Sequence, residues 1–261
     1  MSEATVVPPR PPLDVRVFQW LVAFAVMGTW AFVPLRGYET YLRWDALRDA
    51  RARFESCRSN ANHACVAAAS ADILAREPTD TDALVGRCLA YGELAAHDAV
   101  ESSCPPAIRA LTAQHGPHAT LLQMEALRAT ALSQRGDTRG ALDAVARILA
   151  LPGADRTRWL TRRGQLLERT GAQADALAAY REASAAQTSN ADEADQRQAD
   201  MLLAAERSTE ALDALGRLIA RSPGRAVERR QRALILVRLG RQREALEDLG
   251  WLASNGHGDD T

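Results

Sequence analysis

Apolar and polar positions in the C-terminal half of the chain repeat with a period in the thirties. The dipeptide Ala-Leu recurs at Ala141-Leu142, Ala176-Leu177, Ala211-Leu212 and Ala245-Leu246, at spacings of 35, 35 and 34 residues. Val145, Tyr180, Leu215 and Leu249 stand four residues after each alanine, and Ile148, Ala183, Leu218 and Leu252 seven after. That i, i+4, i+7 set draws one apolar stripe along a helix. Upstream of each alanine the small residues Ala129, Gly164, Ala199 and Ala233 recur, followed three positions on by Leu132, Leu167, Leu202 and Leu236. Each small residue marks a place where a neighbouring backbone can approach a first helix. Gly136, Gly171 and Gly240 precede their alanines by five residues, where glycine ends one helix and turns the chain into the next. Pro152 and Pro223 stand where a unit must stop. Each period thus predicts a helical hairpin, and hairpins at a fixed period stack in a row rather than around one central core.

These residues resemble the tetratricopeptide repeat family over 119–255, in four units at about 119–153, 157–188, 192–223 and 226–255. The unit at 157–188 matches best, with Leu160, Gly164, Leu167, Gly171, Ala176, Tyr180 and Ala183 in register. The tryptophan expected early in each unit is missing, and Arg163 and Arg232 hold positions that are usually leucine. Residues 37–118 are read as two weaker hairpins carrying the cysteines. In the first, Cys57 precedes the turn and Val66 stands near the alanine position; in the second, Leu84, Cys88 and Tyr91 fill first-helix slots. Ala99 and Ala141 are 42 residues apart, which predicts an enlarged loop at Cys104-Pro105-Pro106 or His115-Gly116-Pro117. The resemblance implies an all-α, right-handed superhelical solenoid whose first helices line a concave face. On that face it places Arg158, Thr161, Gln165, Arg169, Gln196, Asp200, Arg230 and Arg238, a polar groove suited to an extended peptide with carboxylates. The asparagine-lysine set by which some such repeats clamp a chaperone's C-terminal carboxylate is absent.

The N-terminal pattern is different. Val17 to Leu35 form a run of 19 residues without a charge, between Arg16 and Arg36. At ~1.5 Å per residue this matches the hydrocarbon thickness of a bilayer, so residues 16–36 are expected to be a transmembrane helix. Trp20 lies near one end and Trp30, Tyr38, Tyr41 and Trp44 toward the other, where amphipathic rings favour headgroups. Pro34 is expected to break or bend that helix. No small-x-small cleavage site follows, which disfavours a removed signal. Residues 1–15, with Pro8, Pro9, Pro11 and Pro12, read as an extended tail, and residues 256–261 as a C-terminal tail. Two arguments on orientation oppose each other. Arg36, Arg43, Arg48, Arg51 and Arg53 after the span favour a cytoplasmic repeat domain. The crowding of Cys57, Cys65, Cys88 and Cys104 into one stretch favours an oxidising compartment, and the periplasm is the preferred reading.

Composition narrows the chemistry. A formal charge of −1 gives no general attraction to nucleic acid. All 32 basic residues are arginine, so no lysine can serve a phosphate loop or a Schiff base. No GxGxxG after a strand, GxSxG or HExxH motif is present, and the acidic residues read as solvated helix faces. Neither an enzyme nor a cofactor is expected. Four cysteines allow three connectivities, of which local pairing, 57 with 65 and 88 with 104, is preferred; zinc bound with His63 or His97 is the sharper alternative. His115 and His118 in HGPH carry a weak metal signal. Asp192, Glu193, Asp195 and Asp200 face an arginine-rich last unit, either as ion pairs between units or as neighbours of a basic end plate.

The function expected is an inner-membrane-anchored bacterial scaffold that recruits protein partners of an envelope complex, of the exopolysaccharide-export, pilus or secretion, or cytochrome-maturation type. A chaperone-like holder of exported polypeptides and a thiol- or metal-linked maturation factor are the alternatives.

Overall fold

The computed structural model describes residues 32–185 and 191–255. The expected tail at 1–15, most of the expected membrane span and the tail at 256–261 lie outside the described residues. Among the described residues there are twelve helices and no strand. No helix among them is long and apolar enough to cross a membrane. The chain divides between Ala83 and Leu84 into two compact units.

The N-terminal unit holds one complete hairpin, α1 (Phe32–Ser59) and α2 (His63–Leu74). Pro34, expected to break or bend a helix, lies inside α1. Ala50, Phe54 and Cys57 of α1 are buried, as are Val66, Ala67, Ala69, Ser70 and Ile73 of α2. Arg51 pairs with Asp80 at 2.9 Å and also with Glu77, and Arg53 with Asp72 at 2.8 Å. Cys57 and Cys65 are joined across the turn, with Cα atoms 5.6 Å apart.

Helix α3 (Thr81–Glu93) leads into the second unit, followed by α4 (His97–Ala113), α5 (His118–Gln134), α6 (Thr138–Ala150), α7 (Arg156–Arg169), α8 (Gln173–Ser184), α9 (Asp192–Ala204), α10 (Ser208–Arg221), α11 (Ala226–Arg238) and α12 (Gln242–Ser254). From α4 onward each helix packs on the next, and α7 also meets α9. Cys88 of α3 and Cys104 of α4 are joined, with Cα atoms 4.8 Å apart. Both pairings are the local ones the spacing favoured.

One turn geometry makes every hairpin. Asn62, Ala96, Asp137, Ala172, Arg207 and Arg241 each donate a backbone N–H to the carbonyl five residues back. The residue before each is left-handed: Ala61, Ala95, Gly136, Gly171, Glu206 and Gly240, with φ between 50° and 82°. This is the closing pattern of a helix end, which satisfies carbonyls that the helix leaves open. Glycine holds three of the six places, and an L residue accepts the strain at the others. Five residues after each left-handed residue comes a buried position: Val66, Val100, Ala141, Ala176, Ala211 and Ala245. Val100 rather than Ala99 therefore holds that position in the second hairpin.

The predicted stripe is the core. Val145, Tyr180, Leu215, Ile148, Ala183, Leu218 and Leu252 are fully buried. The extra residues before Ala141 do not enlarge a loop; α4 and α5 are each 17 residues long, and Pro105 and Pro106 lie inside α4. The two prolines lack the N–H groups that would reach back to Glu101 and Ser102. The small residue in α7 also has a different neighbour from the one expected. A Cβ on Gly164 would lie 2.5 Å from Tyr180 Cε1, so the gap is filled by a side chain of the same hairpin, not by the backbone of the next unit. The Tyr180 hydroxyl donates to Glu168. Burial, and then the hydrogen bond to Glu168, push that phenol far above its usual range.

Gly164→Ala should force Tyr180 aside and lower unfolding free energy by about 1–3 kcal/mol, measurable by denaturant titration. Reduction of the protein should remove about 2–3 kcal/mol per closed loop, read as a fall in thermal midpoint on adding a thiol reductant.

Candidate functional site

The first helices of three successive hairpins, α5, α7 and α9, present a polar face. Arg162 Nη2 and Arg169 Nη1 of α7 both donate to Ser133 Oγ of α5, each at 3.0 Å. Gln165 Nε2 of α7 donates to Glu193 Oε1 of α9 at 2.6 Å, while its own oxygen accepts from Arg162 at 3.1 Å. These bonds tie three units together and hold open a recess of about 400 Å³. It is lined by Thr130, Arg158, Trp159, Thr161, Arg162, Gln165 and Glu193. Asp155 starts α7 by accepting the Arg158 N–H at 3.1 Å, which fixes where Arg158 and Trp159 emerge. The Arg158 guanidinium lies 5.7 Å from the Trp159 ring centroid and is exposed.

Of the eight groove positions named from sequence, Arg158, Thr161 and Gln165 share this recess. Thr161 is buried and its hydroxyl donates to the Thr157 carbonyl at 2.8 Å, so it shapes the floor rather than offering a free donor. Arg169 is turned to Ser133. Gln196 donates to Asp200 at 3.1 Å along α9. Arg230 is half-buried on α11, and Arg238 is exposed at that helix's end. Thr130, Trp159 and Arg162 were not singled out from sequence, and Glu193 was named there only among the acidic residues opening its unit. The 35-residue step from Thr130 to Gln165, both following the small residue, was the available signal.

The acidic residues need a correction. They are not all on solvated faces: Asp195 and Asp248 are fully buried and Glu125 is 3% exposed. Arg217 donates to Asp195 Oδ1 from Nε at 3.0 Å and Nη2 at 2.7 Å, and Arg221 bonds Oδ2. Arg232 donates to Asp248 from Nε and Nη2, both at 2.7 Å, and Arg229 at 3.0 Å. Arg147 Nε donates to Glu125 Oε1 at 2.7 Å. A buried carboxylate is tolerable only when paired and hydrogen-bonded in this way. Glu125 and Asp195 share a register, sixteen residues before Ala141 and Ala211, with Arg147 and Arg217 six after. The same two positions in the last hairpin are Arg229 and Trp251, stacked at 4.5 Å.

Charges between units are also paired. Asp192 at the start of α9 accepts from Arg221 Nε at 3.0 Å, Ser222 Oγ at 2.9 Å and Arg225 Nη2 at 2.8 Å. Partial burial pushes the Asp192 carboxyl upward, but those three hydrogen bonds outweigh it and hold the group below the usual carboxylate range. With Arg221, Arg225, Arg229 and Arg232 so committed, the arginine-rich segment is mostly internal bracing and not a basic end plate. Among the described residues no group of three or more His, Cys, Asp or Glu could hold a metal ion. His115 and His118 instead border a separate recess against α4, α5 and α6.

No family model and no curated protein sequence matches the chain. Solved structures do resemble it. The C-terminal part of a TPR repeat-containing protein from Cytophaga hutchinsonii aligns with a TM-score of 0.57 at 14% identity, over 80% of each chain. YrrB, described as a TPR protein with an unusual peptide-binding site, aligns with a TM-score of 0.52 at 15% identity, over 81% of this chain and 95% of that one. A tetratricopeptide repeat protein from Parabacteroides merdae aligns with a TM-score of 0.50 at 14% identity, over 80% of each chain. At this identity the likeness establishes the fold.

A depressed carboxyl stabilises the fold above its unfolded-state pKa of about 3.9, and that contribution fades as pH falls through the lower folded value. Asp192→Asn should therefore lose less stability than the wild type between about pH 6 and pH 3, measured by urea midpoints at each pH.

Proposed function

Starting from a tetratricopeptide-repeat fold, we propose that this chain is a membrane-anchored adaptor that holds an extended acidic segment of a partner protein against α5, α7 and α9. One observation carries the reading: Arg158 stands exposed at the recess over Trp159, while Arg162 and Arg169 are already held by Ser133. A guanidinium with free donors beside an aromatic face suits a carboxylate followed by an apolar group. Farther along, Val227 and Leu234 are 69% and 56% exposed on α11. They occupy the positions, eighteen and eleven before Ala245, that Arg158 and Gln165 occupy before Ala176. The preferred segment is accordingly acidic toward α7 and apolar toward α11. The peptide-binding site ascribed to YrrB supports the same class of ligand.

Anchoring rests on the charge-free run Val17 to Leu35, and a periplasmic position for the repeats on the two cysteine pairs at bonding distance. The partner is then a component of a cell-envelope assembly, which the adaptor recruits or stabilises without a catalytic step of its own.

Full-length protein purified from mildly solubilised membranes should bring its partner with it, and Arg158→Glu should weaken that association by roughly tenfold or more. Equal recovery of the partner with both proteins would defeat the groove reading. A compartment-specific reporter fused after Thr261 should be active only on the periplasmic side.

A further inference from the structure

The register shared by the units reveals a missing group. In the hairpin α9–α10, both oxygens of the buried Asp195 are filled, Oδ1 by Arg217 and Oδ2 by Arg221. Glu125 holds the equivalent place in α5–α6, and Arg147, equivalent to Arg217, fills its Oε1 at 2.7 Å. The position equivalent to Arg221, ten residues after the alanine, is Leu151. Glu125 Oε2 is buried and has no hydrogen-bond partner. Arg128 Nη1 stands 3.9 Å from it, too far for a hydrogen bond, and that guanidinium already spans Glu101 at 3.2 and 3.1 Å.

Open space lies beside the Glu125 side chain. Glu125 and Arg147 border a recess of about 730 Å³ between α4, α5 and α6, walled by Ile108, Pro117, Leu121 and Leu151. A buried carboxylate oxygen without a donor is unfavourable, and the protein elsewhere satisfies the same oxygen with a guanidinium. We propose that this recess binds an arginine side chain of a partner polypeptide. Its guanidinium donates to Glu125 Oε2 as Arg221 does to Asp195 Oδ2, and its methylene stem lies on Ile108, Leu121 and Leu151. Arginine suits the site better than lysine because its guanidinium is a planar fork and is more weakly hydrated than an ammonium. With the ligand bound, two guanidinium groups are hydrogen-bonded to Glu125, the number bonded to Asp195, while Arg128 stays at ion-pair distance only. The site is separate from the recess at Arg158 and stands without the groove reading.

The test uses the full chain and a capped Gly-Arg-Gly tripeptide, compared with its citrulline counterpart by calorimetry at millimolar peptide. Saturable binding of the arginine peptide is expected, weaker for citrulline by roughly tenfold or more because the charge is lost. Glu125→Gln should abolish the preference. Leu151→Arg should supply the missing group from within, raising the thermal midpoint and blocking the peptide. Should Glu125→Gln fail to fold, Leu151→Arg decides alone. No saturable binding to the wild type, equal binding of the citrulline peptide, or undiminished binding to Leu151→Arg overturns the proposal.

Discussion

The left-handed residue that closes each first helix sets everything downstream. It fixes the chain's reversal, and five residues later it delivers a buried alanine or valine into the helix contacts. Only because Ala141, Ala176, Ala211 and Ala245 are nearly or fully buried can the residues four and seven further on reach the interior as one stripe. The geometry tolerates Ala61, Ala95 and Glu206 where the other three counterparts are glycine, which shows that packing on both sides outweighs the local strain of one residue.

On that frame the polar chemistry divides into two kinds. Buried acids paired with arginines brace the second-helix side, as at Glu125–Arg147 and Asp195–Arg217. Exposed and half-exposed polar groups on first helices form the recess at Arg158. An all-arginine basic complement suits the first task, since the guanidinium can bond one carboxylate twice and a second group besides, as Arg217 does with Asp195 and Gln198.

The hairpins were legible because periodic burial leaves periodic residues. Ala211 and Leu218 announce their helix by spacing alone. The proline pair in α4 misled, since Pro105 and Pro106 suggest a loop by composition, whereas a long helix packed on α5 keeps them helical. The recess was half legible. Arg158 and Gln165 follow from helical register, but whether Thr161 offers its hydroxyl or spends it on Thr157 depends on burial that no spacing encodes. Asp195 and Asp248 were hidden because a charged residue on an amphipathic pattern looks solvated until its arginines are placed around it.

Arg225, at the entry to the last hairpin, reaches back to Asp192 in the one before and also holds Glu228 on its own helix. Asp192 is held in turn by Arg221 and Ser222, so one carboxylate sews the close of α10 to the opening of α11. A row of stacked pairs would ordinarily unzip from its free end, one pair at a time. Here the final two pairs share a stitch, so loosening the last hairpin also costs the one before it a partner for its opening carboxylate.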